Sequence, residues 1–490
     1  MVKSLKIHIP FIFIHLWAFS GFSQNTSNQS ENKTVSKPNI VFIMADDLGY
    51  SDINCFNGIG NADYYETPNI DKLASQGIKF TSAYTNGPNC APTRAAFMSG
   101  QYYPRQPVYT VSTGARGKEE NRKLVPLPNG NGISSSTYTM AEALKDAGYV
   151  SGHFGKWHLG KAGPEEQGFH SSSVVEIGSG ENILNQNNKL NFKNDFVAHE
   201  LNNLAVDFIQ EHKDQPFFLY LAHYIVHSPF QAPDSLVQKY LNKRPVMGHY
   251  HATYAAMVES LDNSVGKIMK KLEEWDLAKN TIFVFYSDNG GLGGYIDQGM
   301  KGLPRLDPLD DGFGGTVEIT HNAPLRGGKG QLYEGGIRVP LIIRWPSVIQ
   351  AGTESDEPVI SIDFYPTFLE VADGTIPTSH ILDGESILPI LRDSEAKLNR
   401  EGLFWHFPGY LQTREEGSWR TTPVGAIRYG DWKLLQFFET EELELYNLVD
   451  DIGEQNNLID INNVKTQELL RVMDNWRENI HAKLPPRKED

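Results

Sequence analysis

The chain predicts an α/β protein: a large N-terminal domain with a central, mostly parallel sheet flanked by helices, then a small C-terminal α+β subdomain with a short antiparallel sheet. Continuous apolar runs such as Ile40-Val41-Phe42-Ile43-Met44 recur over most of the length, the mark of strands covered on both faces. Segments with helix start and stop signals alternate with them. After about Pro389 the apolar segments become short and are joined by tight turns, as in an antiparallel meander.

The first element is not part of the fold. Lys3 and Lys6 precede a mostly apolar stretch, Ile7 to Phe19, and then the small residues Gly21 and Ser23. A basic start, a short apolar run and small residues read as an export signal over residues 1–23. The run falls short of the roughly 20 residues of a membrane span, and no cysteine follows it to carry a lipid, so no membrane anchor is expected. The expected destination is the periplasm or the outside of the cell. Residues 24–37 are polar, without apolar periodicity, and read as a disordered linker.

The catalytic-size domain is expected over 38–389. Ile40 to Met44 is its first buried strand. Thr67-Pro68 can start a helix that Gly77 ends, with a strand from Ile78 to Tyr84. Thr139-Met140-Ala141-Glu142 is a capping box, closed by Gly148 before a strand starting at Tyr149-Val150. Phe217 to Leu221 and Thr281 to Tyr286 are further strands, separated by a helix from about Tyr250 to Trp275. The Gly-rich stretch from Gly290 to Gly315 reads as a long surface loop. Val339 to Ile343 is another apolar run, and Asp363 to Ala372 another helix. In the subdomain, 390–490, Ala426-Ile427-Arg428, Trp432 to Leu435 and Glu444-Leu445-Tyr446 read as antiparallel strands. A helix from about Thr466 to His481 closes the chain.

Composition narrows the function. The 490 residues carry 44 Lys and Arg against 60 Asp and Glu, a formal charge of −16, which argues against nucleic acid or an anionic membrane as partner. An anionic small substrate stays open, because one pocket can be positive inside a negative protein. There are two cysteines, Cys55 and Cys90, and in an exported chain a single bridge between them is the plain reading.

Two strands end alike. Ile40 to Met44 runs into Ala45-Asp46-Asp47, and Thr281 to Tyr286 into Ser287-Asp288-Asn289. Functional groups in open α/β sheets lie beyond the carboxyl ends of strands, so three carboxylates and an amide would converge there. Like charges so close need a cation among them, and an oxygen-only set points to Ca2+ or Mg2+. Asp and Asn after strands also serve simply as turn formers or caps.

The segment Cys90-Ala91-Pro92-Thr93-Arg94, leading into Ala95-Ala96-Phe97-Met98-Ser99-Gly100, resembles the signature of the formylglycine-dependent sulfatases of the alkaline phosphatase superfamily. Gly155-Lys156-Trp157-His158-Leu159-Gly160, His227-Ser228-Pro229, and Gly328-Lys329-Gly330 before Tyr333-Glu334-Gly335-Gly336-Ile337-Arg338-Val339-Pro340 follow in that family's order, from about Lys37 to Leu458. The local pattern resembles bacterial exported glycan sulfatases. The resemblance implies an alkaline-phosphatase-like catalytic domain in which a separate maturation enzyme converts Cys90 to Cα-formylglycine. It implies a metal, Ca2+ or alternatively Mg2+, held by Asp46, Asp47, Asp288, Asn289 and the modified residue 90. Lys156, Lys329 and Arg94 would stabilise the sulfate, with Arg94 reaching back to residue 90. By the same resemblance a hydroxyl of the hydrated aldehyde attacks sulfur and forms a covalent sulfo-enzyme intermediate. His227, with Lys329, protonates the leaving oxygen, and His158 takes the proton whose loss expels sulfate.

If Cys90 is converted, Cys55 loses its only partner and is expected as a buried free thiol. His223 is left out of the catalytic set. Substrate contacts are expected from Lys156, His227 and Lys329, and also from Arg326 and His406, which stand in His321-Asn322-Ala323-Pro324-Leu325-Arg326 and Trp405-His406-Phe407-Pro408-Gly409-Tyr410. Trp405 itself suits core packing. The expected reaction is hydrolysis of sulfate monoesters, on a sulfated polysaccharide or an oligosaccharide from it. The rivals are a phosphodiesterase or phosphonate hydrolase of the same superfamily and a non-catalytic glycan-binding protein.

Overall fold

A computed structural model describes residues 37–56, 64–177, 183–185, 197–228, 230–244, 249, 251–293, 309–310, 316–317, 319–412 and 417–488. The expected export signal, and all of the expected linker but residue 37, lie outside them.

Among the described residues the main sheet has nine strands: β1 (Asn39–Ala45), β2 (Ile78–Phe80), β3 (Val150–Gly155), β4 (Ser171–Ile177), β5 (Ile183–Asn185), β6 (Phe217–Ala222), β7 (Thr281–Ser287), β8 (Leu341–Arg344) and β9 (Thr353–Ser355). Their order is β9-β2-β8-β7-β1-β6-β3-β4-β5. The four central strands β7, β1, β6 and β3 are mutually parallel, and their register brings the carboxyl ends level: Ala45 pairs with Ser287, Met44 with Ala222, and Gly155 with Ala222. Every residue of β1, β6 and β7 is buried, which is why their sequences are apolar throughout rather than alternating.

The alternation of side chains sorts them between two cores. Ile40, Phe42 and Met44 face the helices Cys90–Ser99, Met140–Asp146 and Phe364–Val371. Val41, Ile43 and Ala45 face Pro68–Ser75, Val197–His212 and Ala252–Glu274. The capping box forms as expected: Glu142 N donates to Thr139 Oγ1 at 3.2 Å, and Thr139 N to Glu142 Oε2 at 2.7 Å.

Several local expectations change. The run ending at Ile343 is β8, antiparallel to both neighbours. The expected strand from Ile78 to Tyr84 breaks in two, and its second piece, Ala83–Tyr84, pairs instead with Val359–Ile360. Much of the expected surface loop from Gly290 to Gly315 lies outside the described residues. Within it, Leu309–Asp310 pairs antiparallel with Thr316–Val317.

The C-terminal sheet runs β10 (Leu403–Phe407), β11 (Val424–Tyr429), β12 (Trp432–Phe437), β13 (Leu443–Asn447), all antiparallel. The helix Asn463–Ile480 covers it, stacking Trp476 on Phe404 with ring centroids 4.9 Å apart. No described helix is long and apolar enough to cross a membrane.

A buried ionic cluster ties this sheet to the loop before β8. Lys433 Nζ lies 2.8 Å from Glu334 and 2.8 Å from Glu454, and Glu334 N donates to Glu454 Oε2 at 2.7 Å. Burial pushes the Glu454 carboxyl up to about 7. Against the same burial, Lys433, Arg338 and Arg428 hold Glu334 down at about 2. A raised carboxyl pKa in the fold contributes stability that is full below the unfolded value and lost as pH rises through the folded one. The Glu454 contribution to the melting temperature should therefore fall as pH passes from about 5 to 8. Glu454→Gln should flatten that slope, and thermal melts of both proteins across the range check it.

Candidate active site

All four central parallel strands deliver polar residues at their carboxyl ends. Asp46 and Asp47 follow β1, Asp288 and Asn289 follow β7, Lys156 and His158 follow β3, and His227 follows β6. Backbone hydrogen bonds carry the pairing past the strands and hold these loops together: Asp288 N to Ala45 O at 3.1 Å, Lys156 N to Ala222 O at 2.9 Å, Asp46 N to Ile225 O at 3.0 Å and Val226 N to Asp46 O at 2.8 Å. Asp47 and His158 both adopt left-handed backbone conformations, φ 66° and 61°. Non-glycine residues held this way concentrate at functional sites.

Cys90 is the first residue of the helix Cys90–Ser99, where unpaired backbone N–H groups favour an anion. Its thiol Sγ lies 3.4 Å from Asp46 Oδ1 and 3.9 Å from Asp47 Oδ1. Lys156 Nζ donates to Asp46 Oδ2 at 2.5 Å, and Lys329 Nζ to the Asp47 carboxylate at 2.7 Å. His227 Nε2 stands 3.6 Å from Asp47 Oδ2, with its Nδ1 2.5 Å from Ser228 O. Ligand atoms of Asp46, Asp47, Cys90 and His227 all lie within 4.8 Å of one another.

Burial alone would raise the carboxyls of Asp46 and Asp47. Lys156 chiefly overrides it at Asp46, which stays well below the usual carboxylate range, and Lys329 with His227 overrides it at Asp47, which is also lowered. Burial pushes the Cys90 thiol up, keeping its proton on sulfur. Burial, reinforced by Lys156 and Arg94, brings His158 down to about 3, leaving a neutral imidazole whose Nδ1 is buried without a hydrogen bond. Asn289 Nδ2 donates to Asp47 Oδ1 at 2.9 Å, while its Oδ1 is buried and unpaired. An orphaned amide oxygen beside two ionised carboxylates is a donor set that fits a hard cation.

Arg94 departs from the expected role. Its guanidinium donates to Asp288 Oδ2 through Nε (3.0 Å) and Nη2 (2.7 Å), and Nη1 donates to Lys156 O at 2.9 Å; none of these bonds reaches residue 90. The fork matches a carboxylate, and Asp288 is the one facing it. Asp288 Oδ1 accepts from Asp47 N at 3.2 Å, so this carboxylate braces the β1 loop and stands outside the four-residue group around Cys90.

Two expected substrate contacts are not brought to the site. Arg326 stacks on Tyr333, its guanidinium carbon 3.9 Å from the ring centroid, and donates to Tyr446 Oη and Glu454 O. It is a tie between the Lys329 loop and the C-terminal sheet. His406 is fully buried, its N donating to Tyr103 Oη at 2.8 Å and its Nε2 lying 2.8 Å from Lys483 O. Burial lowers it to about 3, so it is a neutral core residue. His223 pairs with Ser264 at 2.6 Å and is not part of the four-residue group around Cys90, and Trp405 is buried in the core. Cys55 is a free thiol as expected, but half-buried rather than buried.

Two residues that hold the site together carried no motif. Arg420 donates through Nε to Lys329 O and through Nη2 to Leu292 O at 2.7 Å, clipping the lysine loop to the loop after Asn289. Asn322 donates to Gly291 O and Gly327 O, joining the same loops. Both act on backbone carbonyls, which no residue spacing reports. Glycine is needed where these loops touch: a Cβ at Gly290 would lie 1.9 Å from Gly335 O.

Comparison with known proteins places the chain in a family. The sulfatase family model matches residues 38–375, and the model for the C-terminal part of N-sulphoglucosamine sulphohydrolase matches 328–482. A sulfatase of Formosa agariphila is 33% identical, over 92% of this chain and 89% of its own. N-acetylgalactosamine-6-sulfatase of Canis lupus familiaris is 32% identical over 72% of this chain and 66% of its own. Among solved structures, Ps i-CgsB in complex with k-i-k-neocarrahexaose aligns with a TM-score of 0.71 and 27% identity, covering 90% of this chain and 93% of that one.

Proposed function

The chain belongs to the sulfatase family and hydrolyses sulfate esters, and on that footing we propose that its substrate is a sulfated polysaccharide or an oligosaccharide derived from one. The observation that carries the mechanism is Cys90 at the head of its helix, 3.4 Å from Asp46, between two lysines that each hold a carboxylate. Similar proteins support the carbohydrate class: one was solved in complex with a neocarrahexaose, and another is an N-acetylgalactosamine-6-sulfatase. The basic and apolar N-terminal pattern supports export, with the substrate met in the periplasm or outside the cell.

Conversion of Cys90 to formylglycine by a separate maturation enzyme would supply a hydrated aldehyde as nucleophile. Asp46, Asp47, Asp288 and Asn289 would hold Ca2+, favoured in an exported setting, or Mg2+, which would add positive charge beside the sulfate oxygens. The chain's own groups do the rest. Lys156 and Lys329 face the sulfate with preorganised charge, the kind of term that dominates many rate enhancements. Arg94 keeps Asp288 ionised and fixed. His158, neutral in its buried surroundings, can accept a proton. His227, fixed by its Nδ1–H to Ser228 O, turns Nε2 toward the reacting groups and, when protonated with Asp47 beside it, donates the Nε2 proton to the leaving oxygen. We assign these steps to 38–389, braced by 390–490 through Arg420.

A sugar alkoxide needs that proton and a nitrophenolate does not. His227→Ala should therefore slow desulfation of a carbohydrate by roughly 10²–10⁴-fold, and nitrophenyl sulfate far less; kcat on both substrates checks it. The assignment itself is tested by sulfate release from a panel of defined sulfated oligosaccharides, alongside matched aryl sulfate and aryl phosphate. Turnover of at least one sulfated sugar, and of sulfate over phosphate, is expected. A preference for phosphate would overturn the reaction class, and sugar binding without release would make the protein a lectin.

A further inference from the structure

We infer that the chain whose residue 90 is still cysteine carries a zinc site, formed by Cys90 Sγ, His227 Nε2 and one oxygen each from Asp46 and Asp47, and that conversion of Cys90 removes it. A thiolate, an imidazole and two carboxylates are a donor set for a borderline-soft ion, not for Ca2+. Ligands held about 2.0–2.3 Å from a tetrahedral ion sit about 3.3–3.7 Å from one another. The spacings run from that edge to slightly beyond it: 3.4 Å from Sγ to Asp46 Oδ1, 3.9 Å from Sγ to Asp47 Oδ1, and 3.6 Å from His227 Nε2 to the other Asp47 oxygen, Oδ2. All four ligand atoms lie within 4.8 Å of one another, so small side-chain rotations close the shell.

Lys156 does not block this, and Lys329, 2.7 Å from the Asp47 carboxylate, needs to yield one of its oxygens. Asp46 turns Oδ1 to the sulfur and Oδ2 to Lys156, so one carboxylate serves both. The two lysines already balance the two aspartates. Zinc binding breaks the S–H bond, releases the proton to solvent and forms S–Zn, so the ion with its thiolate adds a single positive charge. With residue 90 an aldehyde hydrate, the soft donor is gone and the remaining oxygens favour a hard cation. The modification would thus change both the nucleophile and the metal the pocket prefers.

The test uses full-length protein made without maturing activity, stripped with a chelator and titrated with Co2+ as the probe. The expected signals are near-ultraviolet thiolate-to-cobalt charge transfer and the strong visible bands of tetrahedral Co2+, both bleached by one equivalent of Zn2+ and unaffected by Ca2+. Cys90→Ser should abolish the charge-transfer band and weaken zinc by roughly 100-fold or more, and Cys55→Ser should leave both unchanged. The matured chain should show the loss without any substitution, so the result does not depend on a variant's folding. Absence of the band, its survival in Cys90→Ser, or equal zinc affinity before and after maturation would overturn the site. Only the last comparison rests on the proposed maturation. Loss of the zinc site would leave sulfate release untouched, so the two readings fail separately.

Discussion

Cys90→Ala is expected to lower sulfate release by at least roughly 10⁴-fold, with little change in melting temperature. The side chain makes two weak thiol contacts, to Asp46 and Asp47, and its removal leaves Lys156 on Asp46 and Lys329 on Asp47. The helix keeps its other residues buried, and Gly100 still ends it in a left-handed conformation. Anion binding should survive, since the charges that attract sulfate are intact. The alanine variant should therefore bind a sulfated oligosaccharide with an affinity near that of the native enzyme while releasing no sulfate. Isothermal titration with the sugar and ion chromatography of sulfate read the two halves. Activity within tenfold of native would mean that residue 90 is not the nucleophile.

The second large effect is on stability. Arg94 and Asp288 are both fully buried, and Arg94 makes two hydrogen bonds to that carboxylate and one to Lys156 O. Arg94→Met would strip the buried Asp288, which burial and Asp46 already push up to about 6, of its cation, leaving it either unpaired as an anion or protonated against its hydrogen bonds, and should destabilise the fold by about 3–5 kcal/mol. Arg94→Lys keeps the charge but cannot reproduce the planar fork, and should recover only part of the loss. In the double variant Arg94→Met, Asp288→Asn the uncompensated charge is gone, so stability should return further while activity stays lost. Denaturant midpoints of the three proteins, with their activities, check this. A full loss in the double variant would show that packing, not charge, is what Arg94 supplies.

How far the chain could be read varies with the range of the interactions. The strand cores β1, β6 and β7 were legible because burial on both faces leaves only apolar residues, and the residues just past β1 and β7 marked the site. The antiparallel direction of β8 was not, since an apolar run has no polarity. The helix Val197–His212 was overlooked although its buried residues Ala198, Leu201, Ala205, Phe208 and Ile209 keep helical spacing. The partner of Arg94 depends on which carboxylate the folded sheet brings opposite the helix, which local pattern cannot supply. Arg326 and His406 have side chains suited to a sugar, but the same chemistry suits a tie to Tyr446 or a buried bond to Lys483 O. The Glu334–Lys433–Glu454 cluster joins segments far apart in the chain, and each residue alone reads as a surface charge.

Peptide mass spectrometry of active enzyme is the most direct measurement of all. Trypsin releases Phe80 to Arg94 as one fragment containing residue 90. The fragment should carry an aldehyde there in proportion to specific activity, and should react with a hydrazide probe. Fully active protein whose fragment holds an unmodified thiol, or a disulfide to Cys55, would contradict the assignment of residue 90 as the source of the nucleophile.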